Sequence, residues 1–209
     1  MKIIKIVSEK LSQNNYLVAS ENTAILIDGS AYVNQVEENL KILGNAKLQA
    51  IFLTHCHFDH ILEVDNLMAK YNCPIYIHSS GKSGLYKEDQ NMSILDTLFK
   101  LKTRKGIKTF KDGAEIVVGD IVVKCFNTPG HTLCSSCFMI EDNLFTGDTL
   151  FRVSVGRCDL FGGDENQLRI SLERIKNVLS EGVTTFYPGH GSNFDKEEMI
   201  YNIEHYLGE

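Results

Sequence analysis

The first half of the chain alternates short apolar runs with turn residues. Ser, Asn and Glu separate these runs, which is the pattern of strands joined by turns. The predicted strands are Ile3–Val7, Tyr16–Ser20, Ala24–Asp28 and Leu48–Leu53. Between the last two strands, apolar residues recur at helical spacing and a glycine follows, which predicts a helix that stops there. These residues are Val33, Val36, Leu40 and Leu43, followed by Gly44. Strand, helix and strand in this order predict a βαβ unit.

The second half repeats this organisation with a different sequence. Four apolar runs separated by turn residues predict the strands of a meander. They are Glu115–Val118, Ile121–Phe126, Cys137–Ile140 and Asn143–Phe145. A helix is then indicated by Leu168, Leu172, Ile175 and Leu179, a short strand by Thr184–Phe186, and a last helix by Asp195 and Glu198 at capping-box spacing. The pattern favours an α/β fold (α+β) of two mixed β-sheets with helices outside, and the polar segment Ser79–Ser93 is the longest predicted loop.

Composition narrows the class of protein. A chain of 209 residues with 43% hydrophobic residues predicts one domain, residues 1–209, with a substantial core. The formal net charge of −6, without a basic run, argues against a nucleic-acid partner, because such binding depends on neutralising phosphates with Lys and Arg. No apolar stretch approaches the length of a membrane span, and the N-terminus lacks the features of a signal peptide. We therefore expect a cytoplasmic protein without a membrane partner.

The chain contains six cysteines, and two of them form a lone CxxC at Cys134 and Cys137. A structural zinc site usually needs a second cysteine pair at similar spacing, and the sequence has none. The expected state of the cysteines is therefore buried and reduced.

The strongest chemical signal directly follows the predicted strand Leu48–Leu53. Four potential metal ligands fall within six positions: His55, His57, Asp59 and His60. Because side chains alternate in direction along extended chain, His55 and His57 are expected to point the same way and Cys56 the opposite way. Asp59 and His60 follow as the chain bends, so their directions differ and they favour a second ion. Imidazole and carboxylate ligands suit Zn, Fe or Mn.

Three more candidate ligands follow predicted strands in glycine-rich turns. They are His131, Asp148 and His190. Glycine allows a sharp turn and a close approach of the backbone to a ligand. His78 and His205 lack this context, and we interpret them as a loop residue and a helix-surface residue.

The set His55-x-His57-x-Asp59-His60, followed by His131, Asp148 and His190, resembles the metallo-β-lactamase superfamily. Within it, the chain is most similar to short glyoxalase II-like (hydroxyacylglutathione hydrolase-like) enzymes. The stretches that carry this likeness are Leu144–Phe151, Ser154–Leu160 and Tyr187–Gly191. A departure follows His60, where Ile61–Glu63 replaces the usual glycines and is expected to narrow the pocket or shift the next helix.

The resemblance implies an αββα sandwich with a dinuclear site at one edge. His55, His57 and His131 would hold the first metal ion, and Asp59, His60 and His190 the second. Asp148 would bridge the two divalent ions, with Zn the first expectation and Fe or Mn as alternatives. Longer glyoxalase II enzymes add a C-terminal helical domain that holds glutathione. Only one predicted helix follows His190, so we expect no such domain.

The expected activity is hydrolysis of a small thioester, such as an S-acylglutathione, by a metal-bound hydroxide. Asp59 and Asp148 are the expected catalytic residues, and the guanidinium of Arg157 is expected to contact a substrate carboxylate or to pair with Asp159. One alternative is an iron-dependent persulfide dioxygenase that uses only His55, His131 and Asp148. Another is a lactonase on the same scaffold.

Overall fold

A computed structural model describes residues 1–95 and 99–208 of the chain. Within them lies a six-stranded sheet in the order β1-β2-β3-β4-β5-β6. Its strands are β1 (Lys2–Val7), β2 (Asn14–Ala19), β3 (Thr23–Ile27), β4 (Lys47–Phe52), β5 (Ile75–His78) and β6 (Ile107–Phe110). The first three strands are antiparallel, and β3 to β6 are parallel neighbours. The βαβ unit predicted from the sequence is therefore present as β3, the helix α1 (Val33–Ile42) and β4.

The second sheet of the described residues has five strands in the order β11-β10-β9-β8-β7. They are β7 (Ala114–Val118), β8 (Ile121–Asn127), β9 (Ser136–Ile140), β10 (Asn143–Gly147) and β11 (Thr185–Pro188). The strands from β7 to β10 form the predicted antiparallel meander, and β11 joins β10 in parallel. Both sheets are therefore mixed.

Helices cover the outer face of each sheet. The remaining helices are α2 (Phe58–Ile61), α3 (Val64–Tyr71), α4 (Glu165–Arg174) and α5 (Lys196–Leu207), and a π-helical turn, Ile175–Leu179, extends α4. Residues of α1 and α3 share one apolar cluster with the first sheet, and residues of α4 and α5 share another with the second. A third cluster fills the space between the sheets, where Phe52, Phe138 and Phe145 are fully buried. The four layers are thus helix, sheet, sheet and helix, as predicted.

Several elements have no strong sequence signal. Strands β5 and β6 have four residues each, and α3 buries only Val64 and Leu67. Three short 3₁₀ turns occupy or border the predicted loop, at Ser79–Gly81, Gly84–Tyr86 and Ser93–Leu95. The capping box of α5 is present, because Asp195 accepts from the Glu198 amide and the Glu198 side chain accepts from the Asp195 amide.

None of the helices in the described residues is both long enough and apolar enough to cross a membrane.

Candidate metal centre

One edge of the sandwich collects the ends of strands from both sheets. His55 follows β4 in the first sheet, and His57 caps the N-terminus of α2. From the second sheet, His131 follows β8, Asp148 follows β10 and His190 follows β11. The fold therefore brings together all seven residues that the sequence proposes as ligands, although they come from both halves of the chain.

The first group contains His55, His57 and His131, each offering one ligand atom within 4.8 Å of the other two. Nδ1 of His57 lies 3.0 Å from Nε2 of His131. The other ring nitrogen of His131, Nδ1, donates to the backbone carbonyl of Arg157 at 2.8 Å. That hydrogen bond leaves the Nε2 lone pair of His131 directed into the group.

The second group contains Asp59, His60 and His190 under the same 4.8 Å limit. Oδ2 of Asp59 lies 3.2 Å from Nε2 of His190 and 3.6 Å from Nε2 of His60. The Ser30 hydroxyl donates to the backbone carbonyl of Asp59 and so fixes the chain at this residue. Asp59 and His60 thus face a different partner from that of His55 and His57, as the sequence predicts.

Asp148 lies between the two groups. Its Oδ1 is 3.3 Å from Nε2 of His60, and its Oδ2 is 3.8 Å from Nε2 of His131 and 3.7 Å from Nε2 of His190. A third group of potential ligands, formed by His55, His60 and Asp148, overlaps both of the others. One carboxylate therefore reaches residues of both groups.

The pKa values of individual histidines are shifted in opposite directions in the two groups. Burial and the neighbouring imidazole of His131 lower the pKa of His57 to about 3, and burial with the nearby His60 holds the pKa of His55 well below its ordinary value. Burial would also lower the pKa of His60, but the carboxylates of Asp148, Asp28 and Asp59 outweigh it and raise that pKa well above its ordinary value. His55 and His57 of the first group are therefore neutral imidazoles, whereas His60 of the second group holds a proton when no cation is bound.

The residues present fit divalent metal ions. Nε2 of His55, Nε2 of His60 and Oδ1 of Asp148 are buried and form no hydrogen bond within the described residues. Buried polar atoms almost always have a hydrogen-bond partner, so we expect these three atoms to bind a ligand. Two ligand atoms on one tetrahedral zinc ion are about 3.4 Å apart, given bonds of about 2.1 Å. The separations of 3.0 Å and 3.2 Å within the two groups are close to that value.

Space at the centre is kept open by Gly189. A Cβ atom at this position would lie 2.1 Å from Oδ1 of Asp148 and 2.8 Å from Cε1 of His60. The residue before His190 must therefore lack a side chain for Asp148 and His60 to occupy their observed positions.

Comparison with known proteins agrees with this geometry. The model of the metallo-beta-lactamase superfamily matches residues 9–190. The chain belongs to the metallo-beta-lactamase superfamily. It is similar to a probable metallo-hydrolase of Methanocaldococcus jannaschii, with 33% identity over 95% of this chain and 97% of the relative.

Solved structures of this superfamily overlay nearly the whole chain. The BLEG-1 B3 metallo-beta-lactamase matches with a TM-score of 0.84 and 28% identity, covering 96% of this chain and 98% of its own. TTHA1623 in a di-iron-bound form matches with a TM-score of 0.80 and 28% identity, covering 95% and 98%. A similar protein thus holds two iron ions on this fold.

Sequence reasoning missed one residue of this metallo-beta-lactamase superfamily site. Asp28 follows β3, is buried, and accepts from Nδ1 of His60 at 2.8 Å. It also accepts from the backbone amide and the hydroxyl of Thr54, whose hydroxyl lies 3.1 Å from Nδ1 of His55. Asp28 thereby supports one ligand of each group. A charged residue ending an apolar run beside Gly29 was the available signal, but the pattern equally describes an ordinary turn.

The other predicted residues lie outside the two groups. The Arg157 guanidinium forms two hydrogen bonds of 2.6 Å to Asp159 on the surface, so only its backbone carbonyl touches the centre. Cys56 points away from the ligands, as expected. His78 is the last residue of β5 rather than a loop residue, and it contacts Ser80. His205 stacks on Tyr201.

Ile61, the first of the bulkier residues after His60, does not close the site. Ile61 is fully buried and belongs to the apolar cluster under α1 and α3. The expected narrowing by this side chain is therefore not seen, because Ile61 faces the core.

Proposed function

We propose that this protein is a hydrolase that uses two divalent metal ions to cleave a thioester. The observation that carries the proposal is the position of Asp148, whose two carboxylate oxygens reach His60 and His131, one ligand from each group. A site for a single ion would need neither the second group nor a carboxylate between the groups. The similar structure in a di-iron-bound form supports two ions over one.

In this proposal each group holds one ion. His55, His57 and His131 hold the first, Asp59, His60 and His190 hold the second, and Asp148 contributes to both. Zinc is the metal we expect first, with iron or manganese as alternatives, because imidazole and carboxylate ligands suit all three. When bound, the ions would polarise a substrate carbonyl and lower the pKa of water from near 16 toward about 7.

Asp59 is the residue best situated to handle the attacking water. Its carboxylate is partly exposed, so water reaches it, and its backbone is fixed by Ser30. Burial would raise the pKa of Asp59, but His60 and the hydrogen bond with His190 hold it below its ordinary value. An ionised carboxylate at Asp59 accepts a hydrogen bond from a water molecule and so orients the lone pair of the water oxygen toward the substrate.

The leaving group argues for a thioester. The hydrogen-bond partners of the seven ligand residues in the described chain are carbonyls, hydroxyls, carboxylates, imidazoles and the Gln13 amide. These contacts include no lysine ammonium or tyrosine hydroxyl that would protonate a departing alkoxide. A thiolate needs no such acid, because thiols ionise near pH 8.5. A small S-acylglutathione or a related thioester is therefore the proposed substrate class, and a glyoxalase II-like activity the proposed reaction.

The test combines metal analysis with a hydrolysis assay. Purified protein is analysed for metal per chain and assayed with S-lactoylglutathione as wild type, His57→Ala and His205→Ala. His205 is the matched control, because it is a histidine stacked on Tyr201 on the surface of α5. We expect two metal equivalents and hydrolysis in the wild type and in His205→Ala. His57→Ala should lose turnover and bind less metal.

Other outcomes point elsewhere. Normal turnover by His57→Ala would contradict the proposal. One iron per chain with oxygen uptake on a persulfide would favour the dioxygenase alternative. Two metals with hydrolysis of lactones but not of thioesters would favour the lactonase.

A further inference from the structure

Two buried thiols, those of Cys56 and Cys134, lie close to the first ligand group. Cys56 lies between His55 and His57, and Cys134 follows His131 by three residues. Cys56 and Cys134 line the same small crevice, although they are far apart in sequence and are not bonded to each other. Their exposed fractions are only 4% and 2%. Neither sulfur belongs to the ligand groups, so the proposed hydrolysis does not use them.

The cysteine spacing in the sequence suggests a different pair. Cys137 completes the CxxC with Cys134, but its sulfur contacts the Thr128 hydroxyl at 3.4 Å and the Thr146 carbonyl at 3.8 Å. Cys137 lies on β9 and belongs to the core cluster beneath α4 and α5, whereas Cys134 belongs to the cluster on the opposite side of the sandwich. The thiol partner of Cys134 is therefore Cys56.

Two glycines leave space for the side chains of Cys56 and Cys134. Gly81 and Gly84 lie in two successive 3₁₀ turns and pack against these side chains. A Cβ at Gly81 would lie 2.8 Å from the sulfur of Cys134, and one at Gly84 would lie 2.8 Å from the sulfur of Cys56. Beside the pair is a crevice of about 30 Å³, lined by both cysteines and by Gln90 and Phe161 among others. That volume exceeds the 10–15 Å³ that one water needs, so a small oxidant fits.

We propose that Cys56 and Cys134 form a redox-active pair that hydrogen peroxide converts to a disulfide. One thiol attacks a peroxide oxygen, the O–O bond breaks, and a sulfenic acid and one water result. The second thiol then attacks that sulfur, the S–O bond breaks, and a second water leaves. In total, two thiols and one peroxide give one disulfide and two waters, with sulfur oxidised and oxygen reduced.

We expect formation of the disulfide to change metal binding by the first ligand group as well. Bonded sulfurs are about 2 Å apart, so forming the bond draws together two loops whose sulfurs are not bonded in the structure. One loop carries His55 and His57, and the other follows His131. Changes in the residues that support metal ligands typically weaken metal binding by 10–100-fold. We therefore expect oxidation to weaken zinc binding by the first group by at least about tenfold. This consequence concerns binding and is independent of the proposed hydrolysis.

The experiment uses zinc-loaded full-length protein, which avoids the radical chemistry of iron with peroxide. After treatment with hydrogen peroxide, free thiols are blocked and the chain is cut with trypsin. Cys56 lies in the peptide Leu48–Lys70, and Cys134 lies in Cys125–Arg152 together with Cys125 and Cys137. We expect these two peptides to be linked and to separate on reduction. Fragmentation of the linked wild-type peptides by mass spectrometry shows which of the three cysteines in Cys125–Arg152 is bonded to Cys56, so this assignment needs no variant.

Two variants serve as a matched comparison. Cys134→Ser should abolish the linkage, whereas Cys137→Ser, in the same peptide, should retain it. Competition with a chromophoric chelator then measures zinc affinity before oxidation, after oxidation and after reduction with dithiothreitol. A linkage that survives in Cys134→Ser, or oxidation confined to the more exposed Cys158, would overturn the pairing. An oxidised protein that binds zinc as tightly as the reduced one would overturn the coupling to the metal centre.

Discussion

Nδ1 of His60 donates a hydrogen bond to the carboxylate of Asp28 across 2.8 Å, and both side chains are buried. This bond fixes the rotation of the imidazole and directs Nε2 toward Asp148 and Asp59. The same carboxylate accepts from Thr54, which contacts His55. A single residue at the end of β3 therefore orients one imidazole in each ligand group.

Replacing Asp28 by Asn should weaken metal binding more than it disturbs the fold. The amide keeps the volume of the side chain but loses the negative charge that His60 and Thr54 share. Loss of such a supporting partner costs about 10–100-fold in metal affinity. Chelator competition measures the effect. Asp120→Asn is the control, because Asp120 accepts from Ser20 on the surface, and an equal loss there would contradict the role of Asp28.

Gly189→Ala should displace the Asp148 carboxylate. The new Cβ would stand 2.1 Å from Oδ1 of Asp148, so that carboxylate or the turn must move. We expect loss of at least one metal equivalent and of most hydrolysis. Gly191→Ala is the comparison, because a Cβ there meets nothing within 4 Å. Its left-handed φ of +78° costs about 1–2 kcal/mol of stability, but its metal content should stay normal.

Metal binding should release protons near neutral pH. The pKa of His60 is raised by its neighbouring carboxylates, and that of His190 is raised by Asp59 and Asp148 despite burial. These imidazoles hold protons in the metal-free protein and must lose them to coordinate. Affinity should therefore fall as pH falls. Titration calorimetry in buffers of different ionisation enthalpy counts the protons, and an enthalpy independent of the buffer would contradict the prediction.

The centre of the sandwich should dominate stability. Phe138 is fully buried and makes edge contacts with Phe52 and Phe110, at centroid distances of 5.5 and 5.7 Å. Phe138→Ala should lower the free energy of unfolding by about 3–5 kcal/mol. Phe161→Ala makes the same chemical change at a half-exposed position and should cost about 1 kcal/mol or less. Urea unfolding with a chelator present separates packing from metal binding.

Variants of Arg157 and Asp159 distinguish two roles of the Arg157 guanidinium: binding a substrate carboxylate and pairing with Asp159 on the surface. Both side chains are largely exposed, so solvent screens their pairing and it contributes little to stability. If Arg157 binds a substrate carboxylate, Arg157→Ala should raise KM several-fold without changing metal content. Asp159→Asn frees the guanidinium and should leave KM equal or lower. Equal KM values in both variants and the wild type would remove Arg157 from the substrate site.

The sequence predicts the sheets well where apolar runs are long and bounded by turns. The predicted strand Leu48–Leu53 is shifted by one residue at both ends from β4, and Ile121–Phe126 is one residue shorter than β8 at its C-terminal end. The ligand cluster was also visible, since four metal-binding side chains in six positions are rare in an ordinary turn. Side-chain direction also predicted that His55 and His57 separate from Asp59 and His60, and these two pairs fall in different groups, although a third group of potential ligands, His55, His60 and Asp148, overlaps both. The places of His131, Asp148 and His190 were implied by the resemblance to the superfamily.

What the sequence did not reveal depends on contacts between distant segments. Asp28 has the same local pattern as a turn residue, and only β3 beside β4 brings it to His60. Cys56 and Cys134 likewise come from two distant segments that the fold brings to one crevice, whereas the sequence shows only the nearby CxxC of Cys134 and Cys137. Strands β5 and β6 are short and held by parallel neighbours, so their stability comes from pairing rather than from local composition.

Each ligand group combines residues that follow strands of both sheets. The first joins the segment after β4 to the segment after β8, and the second joins α2, which follows β4, to the segment after β11. A bound ion is therefore a cross-link between the two halves of the chain. At a free metal concentration of about 1,000 times Kd, each such link adds about 4 kcal/mol to the free energy of unfolding. The free energy of unfolding therefore reports how much metal the surroundings of the protein supply.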